Sequence, residues 1–302
     1  MATNLRCCTD FLNAVRRQCL ECVSKYVDDP EQHKITDRNG KNALHLAVNN
    51  LLILEQILPK MSPYINDLDY IDGSPLHYLL WTEQNETFLR RLELLILNGA
   101  DVNTKDYRER NSLHLAARKC DLKIFKYLRL KNAESTRTLA GYNVLLTSAL
   151  ENHDIELFKY ILENRVSLGV DPVNDETLNG KSLLHCLCGA GAGLEKMECL
   201  SQILNSNLNT SFGAGDLWYK FIHKNINKKD DLGRTPLMYL ISKSYNTDPQ
   251  DRHKDIKFLK MLLSLNADPL IEYENESCIE QAKYLGLNEF VEIMTEHQDL
   301  PS

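Results

Sequence analysis

The sequence predicts an all-α protein built from repeated helix–turn–helix units that stack on one another. Three observations lead to this prediction. A four-residue pattern recurs along the chain, the apolar residues after it have helical spacing, and 43% of the 302 residues are apolar without any long apolar run. Helical spacing gives each segment one apolar face. Two short helices cannot bury such a face alone, so neighbouring units must stack.

The recurring pattern is a small polar residue, a small or apolar residue, a leucine and, in the complete copies, a histidine. Complete copies begin at Asn42, Ser74, Asn111 and Ser182, and degenerate copies begin at Asn143, Thr235 and Ser277. The polar residue suits a helix N-cap, and a proline after it suits the first helical position. We therefore expect a helix to start at each copy, with the leucine in the core.

A second apolar segment follows the pattern after a polar turn. In the stretch 155–162, Ile155, Phe158, Ile161 and Leu162 fall on one helical face. A similar segment covers 88–97. Each copy of the pattern thus predicts a pair of short helices.

These features resemble the ankyrin repeat, whose period is about 33 residues and whose first helix opens with Thr-Pro-Leu-His. The stretches 37–40 and 230–233 resemble the Asp-x-x-Gly before it, and 98–103 resembles the turn that closes a repeat. The resemblance spans residues 35–295. It implies an all-α ankyrin-repeat solenoid with short β-hairpin tips. It also implies that the pattern histidines hydrogen-bond between repeats. Glu109 replaces the expected hairpin glycine, which leaves that tip's geometry open.

The spacing of the copies suggests the organisation of the chain. We expect an N-terminal degenerate repeat or cap over 1–34, ankyrin repeats over 35–276, and a C-terminal degenerate repeat or cap with a tail over 277–302. The fifth and sixth copies are 53 residues apart. This places an insertion at about 205–229 that contains the aromatic residues Phe212, Trp218, Tyr219 and Phe221. These rings either plug the surface of the solenoid or bind a partner. A polar segment over 243–254 is expected to be a mobile loop.

Composition argues against several classes of function. The net charge is −7, whereas nucleic-acid-binding domains are usually basic. No apolar run approaches the roughly 20 residues that span a bilayer. The first 20 residues lack the apolar stretch of a secretory signal, and the nine cysteines are odd in number, which favours reduced thiols. We expect a cytoplasmic monomer, located in the host cytosol if the protein is a pathogen effector.

Sequence motifs for catalysis, nucleotide binding or metal binding are weak. The stretch 180–182 ends like a phosphate-binding loop, but Asp175 replaces its first glycine. Cys19-x-x-Cys22 and Cys186-x-Cys188 could each hold half of a zinc site, but neither has a second matched pair nearby in the sequence. Cys19 and Cys22 lie three residues apart on one helix face, so core packing is expected for them. The sequence therefore predicts no catalytic residue, no cofactor, no metal site and no enzyme. The alternative is an enzyme or enzyme modulator that uses the insertion 205–229 or the glycine-rich turn Gly189–Gly193.

The resemblance implies that a partner would bind to the hairpin tips and to the inner helices of the concave face. Positions carried over from the pattern predict a basic and aromatic surface, to which we add the insertion tryptophan: Arg38, Lys41, Tyr70, Trp81, Tyr107, Arg108, Arg110, Arg118, Lys119, Tyr142 and Trp218. Trp, Tyr and Arg are enriched at binding hot spots. We therefore expect an adaptor that binds an acidic or phosphorylated protein segment. A merely solvated face is the alternative, and the net acidity disfavours nucleic acid.

A modification is also implied by the resemblance. Leu95 lies eight residues before Asn103 in a closing turn. This spacing is similar to that of ankyrin repeats whose asparagine is hydroxylated in animal cells. Asn103 is therefore a candidate for hydroxylation.

Overall fold

The computed structural model describes residues 8–119, 121–135, 145–151, 154–177, 179–190, 193–206 and 214–298. It confirms the all-α prediction. The chain divides into two compact units, Met1–Glu134 and Ser135–Ser302. Within the described ranges, extended pairing is limited to two isolated β-bridges, Glu176 with Ser182 and Tyr273 with Glu276. No described helix is long and apolar enough to cross a membrane.

The first unit contains nine α-helices in the described ranges. They are α1 (Phe11–Arg16), α2 (Leu20–Tyr26), α3 (Pro30–His33), α4 (Ala43–Ala47), α5 (Leu51–Met61), α6 (Pro75–Trp81), α7 (Phe88–Leu97), α8 (Ser112–Lys119) and α9 (Leu122–Leu130). The inner helices α4, α6 and α8 each begin at a copy of the pattern. Neighbouring inner helices pack on one another, and each packs on the outer helix that follows it.

The second unit likewise contains nine α-helices among its described residues. They are α10 (Leu145–Glu151), α11 (Ile155–Glu163), α12 (Leu183–Gly189), α13 (Gly193–Ser206), α14 (Ala214–Asn225), α15 (Pro236–Tyr245), α16 (His253–Ser264), α17 (Cys278–Tyr284) and α18 (Asn288–Gln298). Inner helix α12 packs on α15, and α15 packs on α17. Of the stripe predicted in α11, Phe158, Ile161 and Leu162 have no exposed surface, and Ile155 is half-buried.

The pattern residues cap the inner helices as expected. Ser74 is the N-cap of α6, with Pro75 at the first helical position. Its hydroxyl accepts the backbone N–H of His77, while the His77 ring accepts the backbone N–H of Ser74. The same reciprocal cap forms at the helix starts of α4 and α17. At α12 and α15 the side chain of the third helical residue, His185 or Met238, accepts the N–H of the capping residue. These bonds satisfy N–H groups that a helix start otherwise leaves unpaired.

The pattern histidines join consecutive repeats. With Nδ1 accepting from the helix cap, the Nε2–H of His45 donates to the Gly73 carbonyl at 2.9 Å. His77 and His185 make the matching bonds to the carbonyls of Arg110 and Arg234, at 3.3 and 3.1 Å. Burial lowers the pKa of all three rings, so they are held neutral. The inter-repeat role that the resemblance implied is therefore present for these three of the four pattern histidines.

Most described hairpin tips close on an aspartate, and the tip before Ser182 closes on the Thr177 hydroxyl instead. The Asp37 carboxylate accepts the backbone N–H groups of Asn39 and Lys41, and Asp106 does the same two repeats later. Glu109 adopts a φ of 63°, the left-handed conformation that Gly40 adopts with a φ of 83°. The missing glycine therefore leaves this tip's shape unchanged. Its cost is about 1 kcal/mol of backbone strain.

The insertion contains an additional helix, α14, which packs on α13. Phe221 is completely buried, Trp218 stacks on it at 5.8 Å between ring centroids, and Tyr219 is 65% exposed. The Asn225 amide donates to the Val173 carbonyl and holds the end of α14 in place. Phe212 lies outside the described residues. Part of the aromatic set thus packs inside the second unit.

The predicted bounds of the loop over 243–254 are wrong at both ends. Helix α15 runs on through Tyr245, and α16 begins at His253. The buried Asp255 carboxylate explains why both ends of this segment are helical. It forms an ion pair with Lys243 and accepts the hydroxyls of Ser244 and Thr247 at 2.9 and 3.2 Å.

Candidate partner-binding surface

The predicted partner-binding residues of the first unit lie on its tips and at the ends of its inner helices. We call this set the unit 1 surface; its exposed members are Arg38, Tyr70, Tyr107, Arg108 and Lys119, and its half-buried members are Lys41, Trp81, Arg110 and Arg118. Backbone bonds connect adjacent tips. The Tyr70 N–H donates to the Asn39 carbonyl, and the Tyr107 N–H donates to the Ile71 carbonyl. Tyr142 lies outside the described residues, and Trp218 belongs to the second unit.

A chain of contacts joins the tips to the helix ends. The Lys41 ammonium lies 4.3 Å from the centroid of the Tyr78 ring. That ring packs edge-on against Trp81 at 4.8 Å. The Lys119 ammonium then donates to the Trp81 carbonyl at 3.2 Å. Four residues from three repeats therefore form one continuous patch, in which two neighbouring aromatic rings lie between two lysines.

Tyr78, which links this patch, was missed in the sequence. Its hydroxyl donates to the Asp69 carboxylate at 2.5 Å, and burial together with this bond raises its pKa. A usable signal existed, because a lysine precedes one copy of the pattern and a tyrosine follows the next. The second unit repeats the arrangement with Lys181 over Tyr239, whose hydroxyl donates to Asp230.

The third tip places an arginine on an exposed ring. The Arg108 guanidinium lies 5.1 Å from the Tyr107 ring centroid, and its Nε–H donates to the Tyr107 hydroxyl at 2.6 Å. Tyr107 is 51% exposed and Tyr70, on the neighbouring tip, is 77% exposed. Such rings present large contact area at low entropic cost.

Arg110 differs from the other cations of the unit 1 surface. Its Nε–H and Nη2–H both donate to one carboxylate oxygen of Asp106, at 2.9 and 2.8 Å. The Asp106 side chain has no exposed surface. The charge of Arg110 is therefore neutralised within the tip, and its role there is to support the turn.

Three tip carboxylates are bonded within their own turns. Asp37, Asp69 and Asp106 each accept two backbone N–H groups there. Burial opposes ionisation of Asp37, but these bonds lower its pKa overall. Two other tip acids remain: Asp72 is exposed, and Glu109 forms an ion pair with Lys105. The cations of the unit 1 surface other than Arg110 outnumber these two acids: Arg38, Lys41, Arg108, Arg118 and Lys119.

The glycine-rich turn lies between helices α12 and α13, where the sequence placed it; residues 191 and 192 are outside the described ranges. Close packing explains why residue 193 is a glycine. A Cβ atom at this position would lie 2.1 Å from the carbonyl oxygen of Leu187, so only glycine fits. Close packing explains the glycine without a bound phosphate.

Asn103 links two closing turns. Its amide donates to the Asn132 carbonyl at 3.0 Å and accepts the Glu134 N–H at 2.9 Å. Asn66 makes the equivalent pair of bonds with Gly99 and Asp101. Hydroxylation of Asn103 stays a prediction, and a mass increase of one oxygen atom on its peptide would support it.

Parts of the chain are similar to known proteins. No known family profile matches the chain. The nuclear factor NF-kappa-B p105 subunit of Gallus gallus is 31% identical over 158 residues, which are 50% of this chain and 16% of that protein. The chain therefore spans a small part of the relative it matches.

Among solved structures, the ankyrin repeat domain of Bcl-3, described as a unique member of the IkappaB protein family, matches 76% of this chain and 93% of its own. The TM-score is 0.48 and the identity is 20%. The capped helix pairs, the inter-repeat histidine bonds and the similarity to p105 lead to one conclusion: the chain is an ankyrin-repeat protein.

Proposed function

We propose that the chain is a non-catalytic adaptor that binds an acidic or phosphorylated protein segment on the unit 1 surface. One observation supports this most: cationic side chains flank the aromatic patch, while three of the tip carboxylates are bonded within their own turns. A cationic patch attracts an acidic partner and speeds its encounter. Arginine also binds phosphate through several hydrogen bonds at once.

The aromatic residues would supply the contact energy. Tyr70, Trp81 and Tyr107 are of the residue types that dominate binding hot spots. Lys41 and Arg108 already lie over aromatic rings, so their side chains are held in place before a partner arrives. Less conformational entropy is then lost on binding.

The odd number of cysteines supports a reducing compartment, and we propose the cytoplasm, with a pathogen effector in a host cell as one setting. The enzyme alternative would need a local reactive set in the insertion 205–229 or the turn Gly189–Gly193. Tight packing at Gly193 favours the adaptor over that alternative. A mutational footprint confined to the unit 1 surface would separate the two.

The test is an affinity capture from eukaryotic lysate with quantitative mass spectrometry. The surface variant combines Arg38→Glu, Arg108→Glu and Lys119→Glu; Arg110 is left intact because a glutamate there would face the buried Asp106. A matched control carries the same charge change on exposed lysines of three outer helices, as Lys25→Glu, Lys123→Glu and Lys260→Glu. Circular dichroism first establishes that all three proteins fold.

We expect a prey that wild type and control retain and the surface variant loses. The captured prey should contain an acidic or phosphorylated segment, and phosphatase treatment should weaken capture of a phosphorylated one. Equal loss from both variants would mean that net charge alone matters and would contradict the proposal. If wild type binds a generic oligonucleotide and the surface variant does not, the surface binds nucleic acid and the proposal of a protein partner is contradicted.

A further inference from the structure

The N-terminal helices bring three cysteine thiols together. Cys8 lies just before α1, Cys19 is the N-cap of α2, and Cys22 lies in the first turn of α2. Their Sγ atoms all lie within 4.8 Å of one another. The sequence suggested only core packing for Cys19 and Cys22, because no matched pair was evident. The fold supplies Cys8 as a third member.

We propose that Cys8, Cys19 and Cys22 bind a soft divalent metal ion, with Zn²⁺ as the natural candidate. Zinc–thiolate bonds of about 2.3 Å place tetrahedral sulfur ligands about 3.8 Å apart. The three sulfur atoms therefore need to approach by at most about 1 Å, which small side-chain rotations provide. The Cys-x-x-Cys spacing is also the usual spacing of a zinc ligand pair.

Burial at the cluster favours a ligand site over simple packing. Cys8 is 2% exposed, whereas Cys19 and Cys22 are only partly buried, which gives an ion a way in. The identity of the α2 cap points the same way. Helix N-caps are normally Ser, Thr, Asp or Asn, and α1 and α3 both use aspartate. The cysteine at this position of α2 is a poor helix cap but a good metal ligand.

The chemistry is that of a three-thiolate site. Each thiol binds as a thiolate, so loading one Zn²⁺ releases up to three protons and leaves a site of net charge −1. A water molecule or an added ligand fills the fourth position. The bound ion would connect the segment before α1 with α2. Since α1 packs on both α2 and α4, the metal would stabilise the N-terminal end of the repeat stack.

The experiment uses the full chain, purified with a phosphine reductant and loaded with one equivalent of Zn²⁺. Elemental analysis after desalting gives the ion-to-chain ratio, and Co²⁺ in place of Zn²⁺ gives a thiolate charge-transfer band. The variants are Cys8→Ser and Cys22→Ser. Cys199→Ser is the matched control, because Cys199 is a partly buried cysteine of the second unit.

Wild type and the control should keep one ion per chain and show the cobalt band. Each cluster variant should lose about 100-fold in affinity, since even the groups that orient a ligand contribute tenfold to 100-fold. Zinc should also raise the Tm of wild type and a chelator should lower it, which tests the site even if a variant folds poorly. Failure of wild type to retain zinc, or retention by Cys8→Ser equal to the control, would overturn the proposal.

Discussion

Replacing His45 by alanine tests how strongly the inter-repeat histidines hold the first unit together. The ring is 3% exposed and bonds on both sides. Nδ1 accepts the Asn42 N–H at 3.1 Å, and Nε2–H donates to the Gly73 carbonyl at 2.9 Å. Alanine removes both bonds and leaves the buried Asn42 N–H without this acceptor, while the Gly73 carbonyl keeps the Asp69 N–H as a partner.

The expected loss follows from these contacts. An unsatisfied buried polar group costs about 1–3 kcal/mol and a lost hydrogen bond costs about 1 kcal/mol, so the two together cost about 3 kcal/mol. The empty space left by the ring adds to this cost. A domain of this kind has about 5–15 kcal/mol of total stability. His45→Ala should therefore remove about 3 kcal/mol or more from the unfolding free energy of the first unit.

Urea denaturation followed by tryptophan fluorescence measures this effect. The chain has two tryptophans, Trp81 in the first unit and Trp218 in the second. A Trp218→Phe background lets Trp81 alone report on the first unit. His253→Ala is the control, because His253 is exposed and belongs to the second unit. A loss of unfolding free energy below about 1 kcal/mol for His45→Ala, or a loss no larger than that of the control, would contradict this expectation.

Three further predictions follow from the packing and the pKa directions. Because burial lowers the pKa of His45, His77 and His185, the unfolded chain binds more protons below pH 6.5, and the Tm should fall with acidification; a Tm unchanged between pH 7 and 5 would contradict this. Gly193→Ala should destabilise the second unit by about 2 kcal/mol in urea denaturation, whereas Gly189→Ala, whose Cβ has room, should be nearly neutral; equal effects would refute the packing argument. Burial lowers the pKa of Lys196 to about 8. The unfolding free energy of wild type relative to Lys196→Met should therefore rise between pH 8 and 10.5, and a difference that does not change with pH would contradict this.

Much of the fold could be predicted because capping and periodicity are local. Ser74 with Pro75, and Thr235 with Pro236, predict a helix start from neighbouring residues alone. The buried stripe of α11 follows from the spacing of Ile161 and its neighbours. These features depend on residues three or four apart, and the sequence displays them directly.

The missed features depend on contacts between distant residues. Tyr78 connects with Lys41 across 37 residues, and Cys8 joins Cys19 only once α1 and α2 pair. The bonds between Arg110 and Asp106 depend on the shape of the third tip, which Glu109 left open in the sequence. Spacing alone could not show these pairings, since each arises from the folded turn or helix pair.

Photo-crosslinking from the unit 1 surface tests the central claim most directly. A photoreactive phenylalanine replaces Tyr70, which is 77% exposed on a tip, or Tyr284, which is 85% exposed in the second unit. After irradiation in lysate, mass spectrometry identifies the crosslinked prey peptides. We predict acidic or phosphorylated peptides from position 70 and none of these from position 284. The same peptides from both positions, or neutral and basic peptides from position 70, would contradict the proposed recognition of an acidic segment.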